Sequence, residues 1–368
     1  MTVRVSLQEQ RDASYDIVIG RGLLAELPAL LARDCPASRY AVITDSHVAP
    51  LYAEKLVARL ADAKLPASAF AFPAGEWNKT RETWAAVSDR MLAAQLGRDG
   101  AVVALGGGVA GDVAGFVAAT FHRGIPYVQV PTSLLAMIDS SIGGKTGVDA
   151  TAGKNLIGVF HQPRLVVADL DTLATLPPLQ LAAGMAEALK HGVIADAEYF
   201  TSLERDVAAI TAKDAKALER LVTRSVEIKA QIVAQDEREA GVRAVLNFGH
   251  TIGHAIEATT KFEVLHGEAV AIGMVYEARL GERLGVTARG TAERLERGLV
   301  AYGLPTELPR GPSPAELLAA MQVDKKARAG AVRFALPQAV GAMHRASDGG
   351  WTVAPEPGAI TEVLAPQA

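Results

Sequence analysis

Val102-Val103-Ala104-Leu105-Gly106-Gly107-Gly108-Val109-Ala110-Gly111-Asp112 is the stretch on which the fold turns. Its apolar start predicts a strand, its three consecutive glycines, Gly106 to Gly108, a tight turn, and the apolar run that follows a helix. A strand, a glycine turn and a helix N-terminus in that order can present backbone N–H groups to a phosphate. Glycine also lets the chain approach a pyrophosphate closely. The spacing is not the usual G-x-G-x-x-G after a first strand, and a turn that only packs a helix needs the same glycines. By itself the string leaves both readings open.

Toward the N-terminus the pattern alternates. Strands are predicted at Val3–Leu7, Tyr15–Ile19, Tyr40–Thr44, Ala67–Phe72 and Ala101–Leu105. Helices are predicted at Arg21–Ala32, Ala49–Ala63 and Lys79–Leu96, the first carrying Leu23, Leu24, Leu27, Leu30 and Leu31 at helical spacing. This order implies an α/β unit with an open, mostly parallel sheet and helices on both faces. Asp45, at the end of an early strand, is placed to bind a ribose hydroxyl, although a strand-end turn residue would look the same.

From Pro178 onward the period becomes helical. Leu179–Val193, Ala197–Val207, Lys213–Glu237, Gly249–Thr259, Gly267–Leu284 and Ala288–Tyr302 carry spaced apolar residues, and a weak strand signal returns at Ala331–Leu336. The change of period sets two expected domains, 1–180 (α/β) and 181–368 (mainly α-helical), with an active site in the cleft between them. The Ala/Pro-rich tail after Pro355 is expected to be partly mobile.

Composition narrows the function classes. With 368 residues, 49% hydrophobic, and a net charge of −4, the chain reads as a soluble globular protein with no general pull toward nucleic acid or anionic membrane. The most apolar stretch, Gly100–Phe121, holds six glycines and Asp112, which argues against a membrane span. A single cysteine, Cys35, excludes an internal disulfide and suits a reducing compartment, and the first 15 residues lack an apolar core, so the cytoplasm is expected.

Two polar regions carry candidate chemistry. In Asp139-Ser140-Ser141-Ile142-Gly143-Gly144-Lys145-Thr146 a P-loop reading fails, because Asp139 stands where that motif needs glycine. With Gly153-Lys154-Asn155 the run reads as a loop bearing two ammonium groups, fit for a phosphate or polyol. The second region is a set of polar islands in apolar helices: Glu187 to His191, His250 to His254 and His266 to Glu268. Two imidazoles and a carboxylate make an open catalytic zinc site. One histidine of the His250/His254 pair, four residues apart on one helix face, can instead serve as acid or base.

These strings, with Phe121-His122-Arg123-Gly124-Ile125, Pro131-Thr132-Ser133-Leu134-Leu135, Asn247-Phe248-Gly249-His250-Thr251 and His266-Gly267-Glu268-Ala269-Val270, resemble the 3-dehydroquinate synthase family from Asp45 to the Asp324-Lys325-Lys326 run. The resemblance implies a lyase that closes 3-deoxy-arabino-heptulosonate 7-phosphate to a carbocycle with loss of phosphate, through transient oxidation by NAD. It implies NAD near Asp45, Gly75, Glu76, Lys79, Gly107, Gly108, Val109, Gly111, Asp112, Thr132, Ser133, Lys145, Lys154, Thr172, Leu173 and Thr175. It implies zinc, with cobalt as a substitute, on Glu187, His250 and His266. Asp139, Lys190 and Asn247 would hold substrate hydroxyls, Lys229 and Arg243 the carboxylate, and Arg123, Lys145, Asn155 and Lys325 or Lys326 the phosphate. Glu239 and His254 would assist proton transfer. A homodimer is implied, with Arg123 reaching the neighbouring subunit's site. Ser133 stands where the family usually has Thr and keeps the hydroxyl. Rival readings are a metal- and NAD-dependent polyol dehydrogenase, a cyclase for a sugar phosphate without a carboxylate, and a catalytically dead binding protein.

Overall fold

Strands whose side chains are apolar on both faces must lie inside a sheet covered on both sides. The computed structural model, which describes residue 4 and residues 12–151, 153–261, 263–325 and 331–365, follows that rule. Six strands, β1 (Asp16–Gly20), β2 (Tyr40–Asp45), β3 (Ala67–Phe72), β4 (Ala101–Gly106), β5 (Tyr127–Pro131) and β8 (Leu165–Asp169), form one sheet in the order β1-β8-β5-β4-β2-β3. Every pairing in it is parallel. Alternate residues of β2 and β4 face opposite layers. Val42, Val103 and Leu105 pack with Leu27 and Leu31 of α1 (Leu23–Asp34) and Leu56 and Leu60 of α2 (Glu54–Asp62). Ile43, Val102 and Ala104 pack with Val87 and Met91 of α3 (Arg81–Ala93) and Val113 and Val117 of α4 (Gly108–Thr120). Each fully buried Val or Leu contributes roughly 1.5–3 kcal/mol. The predicted strand at Val3–Leu7 lies outside the described residues.

The run containing Lys145 and Lys154 is not a plain loop. It forms an antiparallel hairpin, β6 (Lys145–Ala150) and β7 (Gly153–Phe160), and Thr146 and Val148 are buried. Few alternating apolar residues announce it, because glycines and polar residues interrupt both strands and Gly147 pairs opposite Gly158.

The second half is built of helices: α5 (Pro178–Ala195), α6 (Ala197–Arg205), α7 (Val207–Thr211), α8 (Ala215–Gln235), α9 (His250–Thr259), α10 (His266–Arg283), α11 (Thr291–Ala301), α12 (Pro314–Lys325) and α13 (Pro357–Leu364). α5 and α10 are buried nearly all round, as interior helices are. α9 lies so close to α10 that a Cβ on Gly273 would collide with the Gly249 carbonyl. The weak strand signal at Ala331–Leu336 gives only a bridge from Phe334 to Val353, and the short ladder is β9 (Pro337–Ala339) with β10 (Ala342–Met343). Within the tail expected to be partly mobile, Pro357–Leu364 forms α13, with Ile360 and Leu364 buried. Cys35 is buried, and burial pushes its thiol up to about 11, which makes it an inert core residue. No helix among the described residues is long and apolar enough to cross a membrane.

Candidate active site

Chain order places the first half of the site. From β2 the chain passes to β3 on one side, then returns to β4 on the other, so the strand order reverses between β2 and β4. Ligands of open α/β sheets bind outside the strand C-termini at such a point. Asp45 ends β2 and Gly106-Gly107-Gly108 ends β4. A Cβ on Gly106 would meet Ala110 at 2.6 Å and the Asp45 carboxylate at 3.4 Å, so only glycine lets strand, turn and helix meet there. Asp45 also accepts from the backbone N–H of His47 and Val48, so one of its oxygens does turn work. Val109, Gly111 and Asp112 lie in the first turns of α4. Thr132 N–H bonds to Gly106 O, and Ser133 Oγ caps the turn that follows. Tyr52 ties Thr172 and Thr175 together beside Leu173.

On the same side, the Gly75–Glu76 turn leads into Lys79, whose ammonium is buried between Asp112 Oδ2 (2.6 Å) and Asn155 Oδ1 (2.5 Å). Asn155, expected on the phosphate, thus joins residues expected on the cofactor. Lys154 sits between Glu76 (2.9 Å) and Glu257 (3.0 Å).

Helices α5, α9 and α10 place the second half. Glu187 is fully buried mid-helix in α5, while His250 and His266 open α9 and α10. α10 starts at His266 because Glu268 accepts the Leu265 N–H. α9 starts at His250 because the buried Glu277 carboxylate accepts from Gly249 N–H (2.7 Å) and Ile252 N–H (3.0 Å). A carboxylate there also complements the helix dipole.

The donor atoms of Glu187, His250 and His266 lie within 4.8 Å of one another. His250 Nε2 and His266 Nε2 are 3.6 and 3.8 Å from Glu187 Oε1. Each ring spends its other nitrogen elsewhere, His250 Nδ1 on Phe248 O and His266 Nδ1 on Glu257 Oε1, both at 3.2 Å. Burial, then the Lys190 ammonium, pushes His250 well below the ordinary histidine value. Burial works against charge on His266 too, but Glu257 overcomes it and raises that ring. Glu187 pairs with buried Lys190, yet among the described residues neither carboxylate oxygen accepts a well-formed hydrogen bond. A buried carboxylate with unsatisfied oxygens facing two imidazole nitrogens fits a divalent metal. His254 stacks edge-on to His250 at 5.4 Å, one step aside from the three donors.

A second ion pair, with Lys229 buried and Asp139 partly so, faces this group. Lys229 of α8 bonds to Asp139 Oδ1 (2.5 Å) and to the Asp139 carbonyl (2.6 Å). Burial opposes charge on Asp139, but Lys229 and Lys190 hold its carboxyl well below the usual range. Arg243 is buried, bonds to the Glu237 and Gly143 carbonyls, and keeps Nε without a partner among the described residues. Glu239 joins Lys145 to Asn247 Nδ2. Arg123 stands apart, exposed after α4 with φ 71°. Lys326 and the side chain of Lys325 lie outside the described residues.

Glu257 and Glu277 are absent from the residues singled out in the sequence. Glu257 had a signal: with His250 and His254 it completes an i, i+4, i+7 face of α9.

Fold and site together define an enzyme of the sugar-phosphate cyclase type. A 2-epi-5-epi-valiolone synthase from Streptomyces hygroscopicus, solved with NAD+ and Zn2+ bound, is 32% identical with TM-score 0.88, covering 98% of each chain. A 2-deoxy-scyllo-inosose synthase complexed with carbaglucose-6-phosphate, NAD+ and Co2+ is 30% identical with TM-score 0.87, covering 95% of this chain and 96% of that one. The chain belongs to the 3-dehydroquinate synthase family: the family's N-terminal model matches residues 69–183 and its C-terminal model residues 184–327. A 3-dehydroquinate synthase from Symbiobacterium thermophilum is 50% identical over 335 residues, covering 90% of this chain and 93% of that protein.

Proposed function

We propose that the chain is a 3-dehydroquinate synthase that binds NAD and a divalent metal, zinc or cobalt, and converts 3-deoxy-D-arabino-heptulosonate 7-phosphate to 3-dehydroquinate and phosphate. The observation that carries this reading is the convergence of Glu187, His250 and His266 on a space also faced by Asp139–Lys229 and Arg243. When bound, NAD supplies a hydride acceptor regenerated within each turnover and the metal a Lewis acid. Glu187, His250 and His266 would hold the metal. Asp45, Glu76, Lys79, the Gly106–Gly108 turn and Thr172 to Thr175 would hold NAD.

The chain's own residues do the positioning. A substrate carboxylate would lie against Lys229 and Arg243, whose unpartnered Nε is a buried donor. That pair of cations favours an acid-bearing substrate over cyclase substrates without a carboxylate. Asp139, Lys190 and Asn247 would orient hydroxyls. Glu239 and His254 would relay protons as the C6 proton and the C7 phosphate depart, with Lys145, Asn155 and a Lys325/Lys326 ammonium on the leaving phosphate. Incubation with substrate, NAD and zinc should release phosphate and dehydroquinate one for one, with no growing NADH absorbance. NADH appearing in step with product would instead mark a dehydrogenase.

The reading extends to two domains, 1–180 and 181–368, with the site between them, supported by the change from sheet to helices near Pro178. It also extends to a homodimer in the cytoplasm. Arg123, exposed and held by none of the site's groups, suits a residue that serves the neighbouring subunit. Refolding Arg123→Ala together with Glu187→Ala should then return about a quarter of wild-type activity, since about half the dimers are mixed and each has one intact site. If mixed dimers form and stay inactive, Arg123 works within its own subunit.

A further inference from the structure

Glu257 lies beyond the three donors and is buried to 2% exposure. Its Oε1 faces two donors at once, the His266 ring at Nδ1 (3.2 Å) and the Lys154 ammonium (3.0 Å), and its Oε2 is buried without a partner among the described residues. Lys154 in turn holds Glu76 at 2.9 Å. The chain of contacts therefore runs from a histidine of α10, through a carboxylate of α9, to a lysine of β7 and a glutamate of the turn after β3. A neutral imidazole that donates Nδ1–H to a carboxylate presents Nε2 as a lone pair, and His266 Nε2 is the nitrogen turned to Glu187.

Resting on the reading of Glu187, His250 and His266 as metal ligands, we propose that Glu257 is a positioning residue, which fixes the tautomer and orientation of His266 for metal binding and is itself held by Lys154. Carboxylates behind metal-bound histidines commonly govern affinity by 10- to 100-fold. Among the described residues no other hydrogen bond engages the His266 Nδ1, so its orientation depends on this one oxygen. The neighbouring ligand differs: His250 turns its Nδ1 to a backbone carbonyl, which no side-chain substitution removes.

The test is zinc affinity of metal-stripped full-length protein, measured against a chromophoric chelator, for wild type, Glu257→Ala, Glu257→Gln and His266→Ala. Thermal melts establish which variants are folded. Glu257→Ala should bind zinc about 10- to 100-fold more weakly. Glu257→Gln keeps an oxygen that can accept Nδ1–H, is nearly the same shape, and should recover most of that loss. Wild-type affinity in Glu257→Ala, beside a large loss in His266→Ala, overturns the positioning role and leaves the ligand reading standing. Wild-type affinity in His266→Ala overturns the ligand reading itself. A glutamine variant that is folded and as weak as alanine also overturns the proposal, because loss would then follow the charge and not the hydrogen bond. Should the alanine variant fail to fold, a folded glutamine variant decides by another readout. At a pH where the ring is neutral, the ring 15N shifts of His266 in metal-stripped protein should show hydrogen on Nδ1 in wild type and in Glu257→Gln, and a neutral ring with its hydrogen on Nε2 in either overturns the role.

Discussion

Glu187→Gln should lower turnover by about 10³-fold or more, equivalent to about 4 kcal/mol of lost transition-state stabilisation, and should strip most of the bound zinc. Glutamine keeps the shape of the side chain in a fully buried position, so the helix survives and loss of fold does not confuse the result. What changes is charge. The carboxylate is the anionic member of the donor set it forms with His250 and His266, and an amide oxygen holds a divalent metal far less well. Lys190 also loses its ion-pair partner, although Asp139 remains close enough to offset part of that. Metal content by atomic absorption, turnover and a melting curve measure the three consequences separately. A variant with full zinc and near-normal turnover would sink the proposed ligand set.

The second large effect is structural. Glu277→Ala should lower the melting temperature by roughly 5–10 °C and weaken zinc binding without touching a ligand. The Glu277 carboxylate accepts from two buried backbone N–H groups at the start of α9. Each buried donor left unmade costs roughly 1–3 kcal/mol, and the lost side chain leaves a cavity besides. The first residue of that helix is His250, so fraying of the first turn moves its ring away from Glu187. An unchanged melt would show that the N–H groups find other partners.

Much of this was legible in the sequence because apolar runs report burial directly. β2, β3 and β4 fall within a residue of their predicted bounds, since each is a short apolar run between turns. Glu187, His250 and His266 stood out as polar residues inside apolar helices, and the structure brings their donor atoms together. The hairpin β6–β7 was not legible, because glycine and polar residues hide the alternation that a sheet needs. Nor was the trio Lys79, Asp112 and Asn155, whose members are 33 and 76 residues apart and meet only through the fold. Nor was Glu277, since nothing local shows that its helix is buried on nearly every side.

The edge strand β1 has a consequence for synthesis. Among the described residues its one ladder is with β8, with Asp16 opposite Leu165 and Gly20 opposite Asp169. The trio β4-β2-β3 needs no residue beyond Gly106. At about 5–20 residues per second, the first of these strands to leave the ribosome waits on the order of ten seconds for its partner. Its open backbone edge is exposed to other chains for that whole interval. Nascent chains stalled between residues 110 and 160 should therefore be the species that a holdase binds and that aggregates when none is present.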